Sequence, residues 1–299
     1  MHAWYKTKGR YIHATTKNLD RGDLVKIRST EKPHSFTEKL RRAIPIYDLQ
    51  GLTLDSDNNF TAGVEAVEYD LDEEVEVENL FSLEEWKAKW NLCNHLSVPL
   101  YAVTYKTGDD FIEILEISFD NDEIETHDCG RFSFRQYANW WASIKGTIQS
   151  KPLYEASSRI SFFDNLLAKY GLAWGGNIDG FLLSSKMKPQ AILETRYTTK
   201  TPLGSYDPAV YFRYRNGDYK TWEPLILLAK RLKIPLFLLT FERKSTRDCL
   251  GFSTIDSISR EKLFYRNGPP FNNMIRGVAN IRQQIRNKLS EAPPYIRSE

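Results

Sequence analysis

The sequence predicts an α/β fold in which two tandem halves each contain a mixed β-sheet flanked by helices. The main observation is an internal repeat, in which segments that start at Trp86 and Trp222 each carry a proline 13 positions later, at Pro99 and Pro235. Leucine and an aromatic residue follow each proline, and threonine precedes a second aromatic residue. This agreement favours a duplication over chance, and internal repeats of this kind decide the fold.

The second observation is the pattern within each copy, where a helix precedes the proline and a strand follows it. Proline disfavours helical geometry at the residue before it, so we expect the helix to end there. The runs PLYAVTY and PLFLLTF are apolar at nearly every position. Such runs are typical of parallel or central strands that are covered on both faces. The pattern therefore predicts a mixed sheet with helices on its faces.

The remaining elements of the second half follow from periodicity and turn residues. Helical spacing predicts helices, and alternation with an Asn-Gly turn predicts a strand. The predicted order is a helix over 154–171, strands over 178–183 and 190–197, an alternating strand pair over 210–219 and a helix over 220–233.

The first half reads similarly. Residues 44–69 parallel 175–198 as strand, turn and strand, which matches Asp48 with Asp179 and Glu65 with Glu194.

These patterns divide the chain into a basic, aromatic N-terminal β-element over 1–33, a first repeat over 34–150 and a second repeat over 151–299. The 299 residues include three scattered cysteines, which argues against a disulfide framework or a structural zinc site. No signal-like segment begins the chain and no run of 18 apolar residues occurs, so we expect a cytoplasmic protein without a membrane partner.

Two carboxylates form the candidate site. Asp179 opens one predicted strand and Glu194 closes the next, and antiparallel pairing around a short turn would bring these outer ends together. Two adjacent carboxylates repel each other unless a cation lies between them, and Mg²⁺ or Mn²⁺ suits their oxygens. Arg196 projects from the same face as Glu194, where its guanidinium can bind a phosphate.

The helix, the hairpin with Asp179-Gly180 and Glu194-Thr195-Arg196, and the following helix and strand resemble the core of the PD-(D/E)XK nuclease superfamily, which includes many restriction endonucleases. The resemblance implies a restriction-endonuclease-like mixed sheet in each half. It also implies Asp179 and Glu194 as Mg²⁺ ligands, with Glu155 of the preceding helix as a further acidic ligand. It covers residues 152–245 and, more loosely, 34–105.

One position departs from the family pattern, because Arg196 stands where the family has a lysine. Arginine stays protonated at any working pH and cannot exchange a proton with water. The nearby lysines that could supply an ammonium group instead are Lys186, Lys188 and Lys200. The first half departs further, since Val67 replaces the cation, and we expect that half to be catalytically silent.

Other interpretations of these residues stay open. Glu194 and Arg196 can form an ion pair at a sheet edge, Asp179 and Gly180 can form a simple turn, and Glu155 suits the first turn of a helix. Trp140 and Trp141 fit a hydrophobic core, with stacking on bases as the alternative.

The predicted function is Mg²⁺-dependent hydrolysis of DNA by the second half, and RNA stays open as a substrate. The alternative is a catalytically inactive, nuclease-like module that binds nucleic acid or a protein. With one active site, the chain would nick one DNA strand and would need to form a homodimer to cut both strands of a duplex. Exposed cations would contact phosphates, and the candidates are Lys6, Lys8, Arg10, Lys186, Lys188 and Lys200. For the N-terminal residues, a small β-element packed on the body is the other interpretation.

Overall fold

The computed structural model describes residues 2–7, 10–15, 44–69, 76–147, 162–198, 206–211, 218–242, 249–259 and 262–290. Contacts divide the chain into two compact units. The first unit comprises residues 1–33 and 49–177, and the second comprises residues 34–48 and 178–299. The division falls after residue 177, whereas the repeat pattern places it at residue 150.

The described residues form strands and α-helices that alternate along the chain. The strands are β1 (His2–Thr7), β2 (Arg10–Thr15), β3 (Ile46–Leu49), β4 (Gly51–Leu54), β5 (Phe60–Tyr69), β6 (Leu100–Lys106), β7 (Phe111–Asp120), β8 (Glu123–Ser133), β9 (Ile178–Leu183), β10 (Pro189–Thr198), β11 (Leu236–Glu242), β12 (Cys249–Ile258), β13 (Leu263–Tyr265) and β14 (Met274–Arg276). The helices are α1 (Leu83–His95), α2 (Phe134–Ile144), α3 (Phe162–Lys169), α4 (Pro208–Tyr211), α5 (Asp218–Leu232) and α6 (Val278–Ser290).

The first unit contains a seven-stranded mixed sheet with the order β2-β1-β5-β6-β7-β8, and β4 also pairs with β5. Strands β5 and β6 run parallel, with Glu65 opposite Ala102, whereas β6, β7 and β8 are antiparallel. The N-terminal hairpin of β1 and β2 joins this sheet through β1, where Lys6 lies opposite Glu68.

Side-chain caps fix where α1 and α2 of the first unit begin. The Ser82 hydroxyl accepts the N–H of Glu85 at 3.2 Å and starts α1, and Ser133 and Gln136 form a reciprocal capping box that starts α2. The core of this unit is rich in aromatic side chains, among which Trp141 is fully buried and donates its Nε1–H to the carbonyl of Ala173 at 3.2 Å. Its interpretation as a core residue is therefore confirmed.

The second unit contains another seven-stranded mixed sheet, with the order β13-β12-β11-β10-β9-β3 and with β14 paired to β12. Strand β10 runs antiparallel to β9 and parallel to β11, with Glu194 opposite Leu238. Leu238 is the third residue after Pro235, as Ala102 is the third after Pro99. The α/β class with mixed sheets is therefore confirmed, and both units repeat one parallel register.

The two faces of the second sheet carry different side chains because successive residues of a strand point to opposite sides. Leu193 and Phe237 lie on one face and pack with Ile281 and Ile285 of α6. Glu194 lies on the other face. The sheet therefore separates the apolar core that holds α6 from the candidate acidic residue.

Some sequence-based expectations need correction, and others concern residues outside the described ranges. The alternating strand pair expected over 210–219 is wrong at both ends, because Val210 lies in α4 and α5 begins at Asp218, and residues 212–217 lie outside the described residues. The reason is local: Pro208 suits the first helical position, and Asp207 accepts the N–H of Ala209 at 2.9 Å. Because α5 begins early, Pro224 lies in its second turn. Residues 16–33 of the expected N-terminal β-element and residues 154–161 of the expected helix lie outside the described residues.

Candidate functional site

The candidate site lies where the β9–β10 ladder ends. The last paired residues are Leu193 and Gly180, so the next position on each strand is Glu194 and Asp179. Strand β10 is central in the sheet, between β9 and β11, and Asp179 lies within β9. The sheet edge in the first alternative is therefore wrong, although the Glu194–Arg196 ion pair that it named does form. The simple turn at Asp179 is wrong as well.

Asp179 is held by the backbone of β10. Its Oδ2 accepts the backbone N–H of Thr195 at 3.0 Å and the Thr195 hydroxyl at 2.6 Å. These two bonds fix the carboxylate beside the residue that directly follows Glu194. The structure thus brings the two predicted acids to neighbouring positions on adjacent strands.

Glu194 forms an ion pair with Arg196 on the same strand. The side chain of Glu194 is only 5% exposed, and its Oε1 lies 3.0 Å from Nε of Arg196, whose side chain is 28% exposed. A buried carboxylate is unfavourable unless it is paired, so Arg196 stabilises the charged form of Glu194 in this position.

Arg196 is oriented by α5 as well as by Glu194. Its guanidinium carbon lies 5.2 Å from the centre of the Trp222 ring, within the range of a cation–π contact. Its Nη2 is buried and has no hydrogen-bond partner among the described residues. Trp222 and Glu194 therefore fix the position of the guanidinium.

The lysines of the β9–β10 turn lie at the opposite end of the hairpin. Lys186 and Lys188 are exposed, and Ser184 Oγ accepts the backbone N–H of both at 3.3 and 3.1 Å. Six residues of extended chain separate Lys188 from Glu194, which corresponds to about 20 Å. Neither lysine can therefore place its ammonium group at the carboxylates.

The structure does not describe every predicted site residue. Glu155, Lys200 and Lys8 lie outside the described residues. Lys6 and Arg10 lie on β1 and β2, where only the backbone is described.

The first unit has a related arrangement at the same register positions. Gly51 pairs with Val64 as Gly180 pairs with Leu193, so Gln50 occupies the place of Asp179. Gln50 Oε1 accepts the N–H of Ala66 at 3.1 Å, as Asp179 accepts that of Thr195. The expected match of Asp48 with Asp179 is wrong by two positions, and an uncharged amide replaces the carboxylate.

The first-unit glutamate is sealed from solvent and paired with a helix lysine. Glu65 and Lys89 have side chains with 0% exposure, and their Oε1 and Nζ atoms are 3.0 Å apart. The backbone N–H of Gln50 also donates to Glu65 Oε1 at 3.0 Å, and Lys89 contacts Glu85 at 3.4 Å and the Phe81 ring at 4.7 Å. This network is enclosed, so it serves the fold and does not meet a solute.

Sequence reasoning missed Lys89 as the partner of Glu65. A signal was available, because Lys89 follows Trp86 by three positions and therefore lies on the buried face of α1. The similar segment that starts at Trp222 has Leu225 at this position. A cation on the buried face of a helix requires a partner, but periodicity alone does not name it.

Cys93 is a further buried residue of the first unit. Burial, reinforced by the charge of Glu65, raises the pKa of the Cys93 thiol to about 12. A β-carbon added at Gly63 would lie 2.3 Å from Cys93 Sγ. The thiol is a packing group that remains protonated at neutral pH.

Comparisons with protein-family models, with curated proteins and with solved structures found no match. The likeness to PD-(D/E)XK nucleases therefore rests on the residues of this chain. Within the described ranges, no group of three or more His, Cys, Asp or Glu side chains could hold a metal ion. Within the same ranges, no helix is long and apolar enough to cross a membrane.

Proposed function

We propose that the second unit hydrolyses phosphodiester bonds of DNA with a divalent metal ion bound at Asp179 and Glu194. The observation that carries this proposal is the position of the two carboxylates, one on each strand, at the end of the β9–β10 ladder. Arg196 is the cation that would bind the phosphate.

The donor set suits Mg²⁺ or Mn²⁺. Both ions prefer hard oxygen ligands, and Mg²⁺ is commonly held by one or two carboxylates with waters completing its shell. Asp179, Glu194 and Arg196 together carry a net charge of −1, which a divalent cation would offset. When bound, such an ion makes a coordinated water more acidic and stabilises negative charge on a phosphate.

The side chains of this unit would orient the substrate. Thr195 fixes Asp179, and Trp222 together with Glu194 fixes the guanidinium of Arg196. Arginine binds phosphate through its N–H groups but does not exchange protons at working pH, so Arg196 would position the phosphate and not act as the base.

An inactive module that binds nucleic acid or a protein is the second candidate. It is favoured by the Glu194–Arg196 ion pair, which already neutralises one carboxylate at 3.0 Å. In the first unit, the uncharged amide of Gln50 occupies the position of Asp179 and accepts the equivalent backbone hydrogen bond. The same backbone arrangement therefore forms without a carboxylate that could bind a metal ion.

Cleavage of supercoiled and linear DNA in Mg²⁺ or Mn²⁺ separates the two candidates. We expect the intact protein to nick DNA, and D179N and E194Q each to lower the rate at least about 100-fold, because each removes a charged ligand. The matched control is D256N, which removes a carboxylate of the same unit that pairs with Arg266.

Each outcome decides between the candidates. Cleavage that persists in both site variants would refute the proposed site. Salt-sensitive binding of DNA without cleavage by the intact protein would support the inactive module. Thermal unfolding of each variant shows whether the fold is retained.

A further inference from the structure

Helix α6 carries an exposed basic face that the proposed site does not use. Arg282 and Arg286 lie one turn apart and are exposed, and exposed Arg276 precedes them on β14. No acidic residue occurs from residue 274 to residue 290. Cations at i and i+4 of one helix repel each other, so this pairing does not stabilise the helix itself.

These arginines have no acidic partner among the described residues. Elsewhere in the described chain, Arg131 pairs with Glu113 at 2.7 Å and Arg266 pairs with Asp256 at 3.1 Å. Arg276, Arg282 and Arg286 are therefore available for an external anion. Their charge contrasts with the β7–β8 hairpin of the first unit, where residues 111–133 contain seven acidic residues and one arginine.

The basic face is held in place by the core beneath it. Ile281 and Ile285 are buried in the apolar cluster of the second sheet. The Asn280 amide donates to the Arg276 carbonyl at 2.8 Å, which links the helix to β14. A fixed surface loses less conformational freedom on binding than a mobile one.

The chemistry of this face selects the class of partner. The apolar side chains of α6 face the core, and the only large exposed apolar side chains among the described residues are Leu83 and Val210, which lie elsewhere. A protein interface would need an aromatic or apolar centre, and a membrane-bound helix would need an apolar face directed at lipid. Guanidinium and amide groups are the usual donors to phosphates and sugars of nucleic acids.

We propose that Arg276, Arg282 and Arg286, with the amides of Gln283 and Asn287, bind the sugar–phosphate backbone of a nucleic acid. The Gln283 amide donates to Asn287 at 2.8 Å, so the two amides lie side by side on this face. The choice of nucleic acid over another polyanion rests on the proposed function. Backbone contacts of this kind position a nucleic acid without reading its sequence.

Binding of a labelled DNA duplex by the full chain in EDTA tests this surface without cleavage. We expect R282Q/R286Q to weaken binding roughly 10- to 60-fold near 0.1 M salt. We also expect the plot of log K for DNA binding against log salt concentration to become less steep. Its slope should shrink in magnitude by about 1.8, since each lost phosphate contact removes about 0.9. The matched control is R135Q/K169Q, which removes two exposed charges from helices α2 and α3 of the first unit.

The outcomes separate this surface from the proposed catalytic site. Equal weakening by both double variants, or no weakening by R282Q/R286Q, would overturn the inference. The inference would also be overturned if R282Q/R286Q lost binding to anionic vesicles, or lost self-association, while its DNA binding stayed unchanged. If the intact protein binds DNA through α6 but never cuts it, the inference stands and the proposed hydrolysis fails.

Discussion

The strand glutamates of the two units show how one backbone arrangement can serve two purposes. Glu65 and Glu194 occupy the same position in the parallel register, and each is paired with a cation at 3.0 Å. The cation comes from helix α1 in the first unit and from the strand itself in the second.

The difference between the two pairs is access to solvent. The side chain of Lys89 is 0% exposed, whereas that of Arg196 is 28% exposed. The positions are also complementary, because Val67 replaces Arg196 in the first unit and Leu225 replaces Lys89 in the second. An enclosed pair can only stabilise the fold, while an accessible pair can also meet a substrate.

The largest stability effect is expected from K89M. It leaves the carboxylate of Glu65 buried without its cation, which destabilises proteins by about 3 to 5 kcal/mol. R196M should lower the free energy of unfolding by only about 1 to 2 kcal/mol, since its pair is partly solvated. Urea denaturation of both variants measures the contrast.

The double variant E65Q/K89M is the control for this comparison, because it removes both charges and should be more stable than K89M alone. If K89M unfolds within about 1 kcal/mol of the unmodified protein, the buried pair does not have the role assigned to it.

G63A should lower the free energy of unfolding by about 2 kcal/mol, since its new β-carbon would overlap Cys93 Sγ in a filled core. In a C93A background the same substitution should lose most of its effect, because the overlapping sulfur is absent. Chemical denaturation of the four proteins gives the coupling between the two sites, and additive effects would argue against this packing.

Moving the cation of the second unit onto its helix tests the complementarity directly. R196V should destabilise the protein, and adding L225K should recover about 1 kcal/mol if the lysine reaches Glu194 as Lys89 reaches Glu65. The double variant should bind no phosphate at this site, since its cation would be enclosed. No recovery of stability would show that the two units are not interchangeable at this position.

The last prediction is a change of stability with pH from Cys93, which has no effect near neutral pH and develops only in alkaline solution. Its folded-state pKa of about 12 is raised, so its contribution is complete below the ordinary thiol pKa of about 9 and is lost as the pH rises towards 12. The difference in unfolding free energy between the unmodified protein and C93A should therefore shrink as the pH rises above about 9. A difference that stays constant would contradict the burial of this thiol.

Local sequence patterns predicted the strands and helices of the second unit better than they predicted the contacts between those elements. The bounds of β9, β10 and β11 follow the apolar runs and the prolines, and the hairpin placed Asp179 beside Glu194. The alternation that begins at Val210 misled because Asp207 and Pro208 start a helix over Pro208–Tyr211.

The first unit could not be derived in the same way. Gln50 lies 15 positions before Glu65, as Asp179 lies 15 positions before Glu194, but the sequence comparison matched acid to acid and therefore selected Asp48. The pairing of Glu65 with Lys89 joins residues 24 positions apart through tertiary packing, which no local period encodes.

The central claim is that the carboxylate pair of the second unit binds a divalent ion and that its amide counterpart in the first unit does not. Calorimetric titration of Mn²⁺ into the full chain measures the number of bound ions and tests this claim. The matched variants are D179N and Q50N. We predict one bound ion per chain in the unmodified protein and in Q50N, and none in D179N. Undiminished binding by D179N, or no binding by the unmodified protein, would contradict the account.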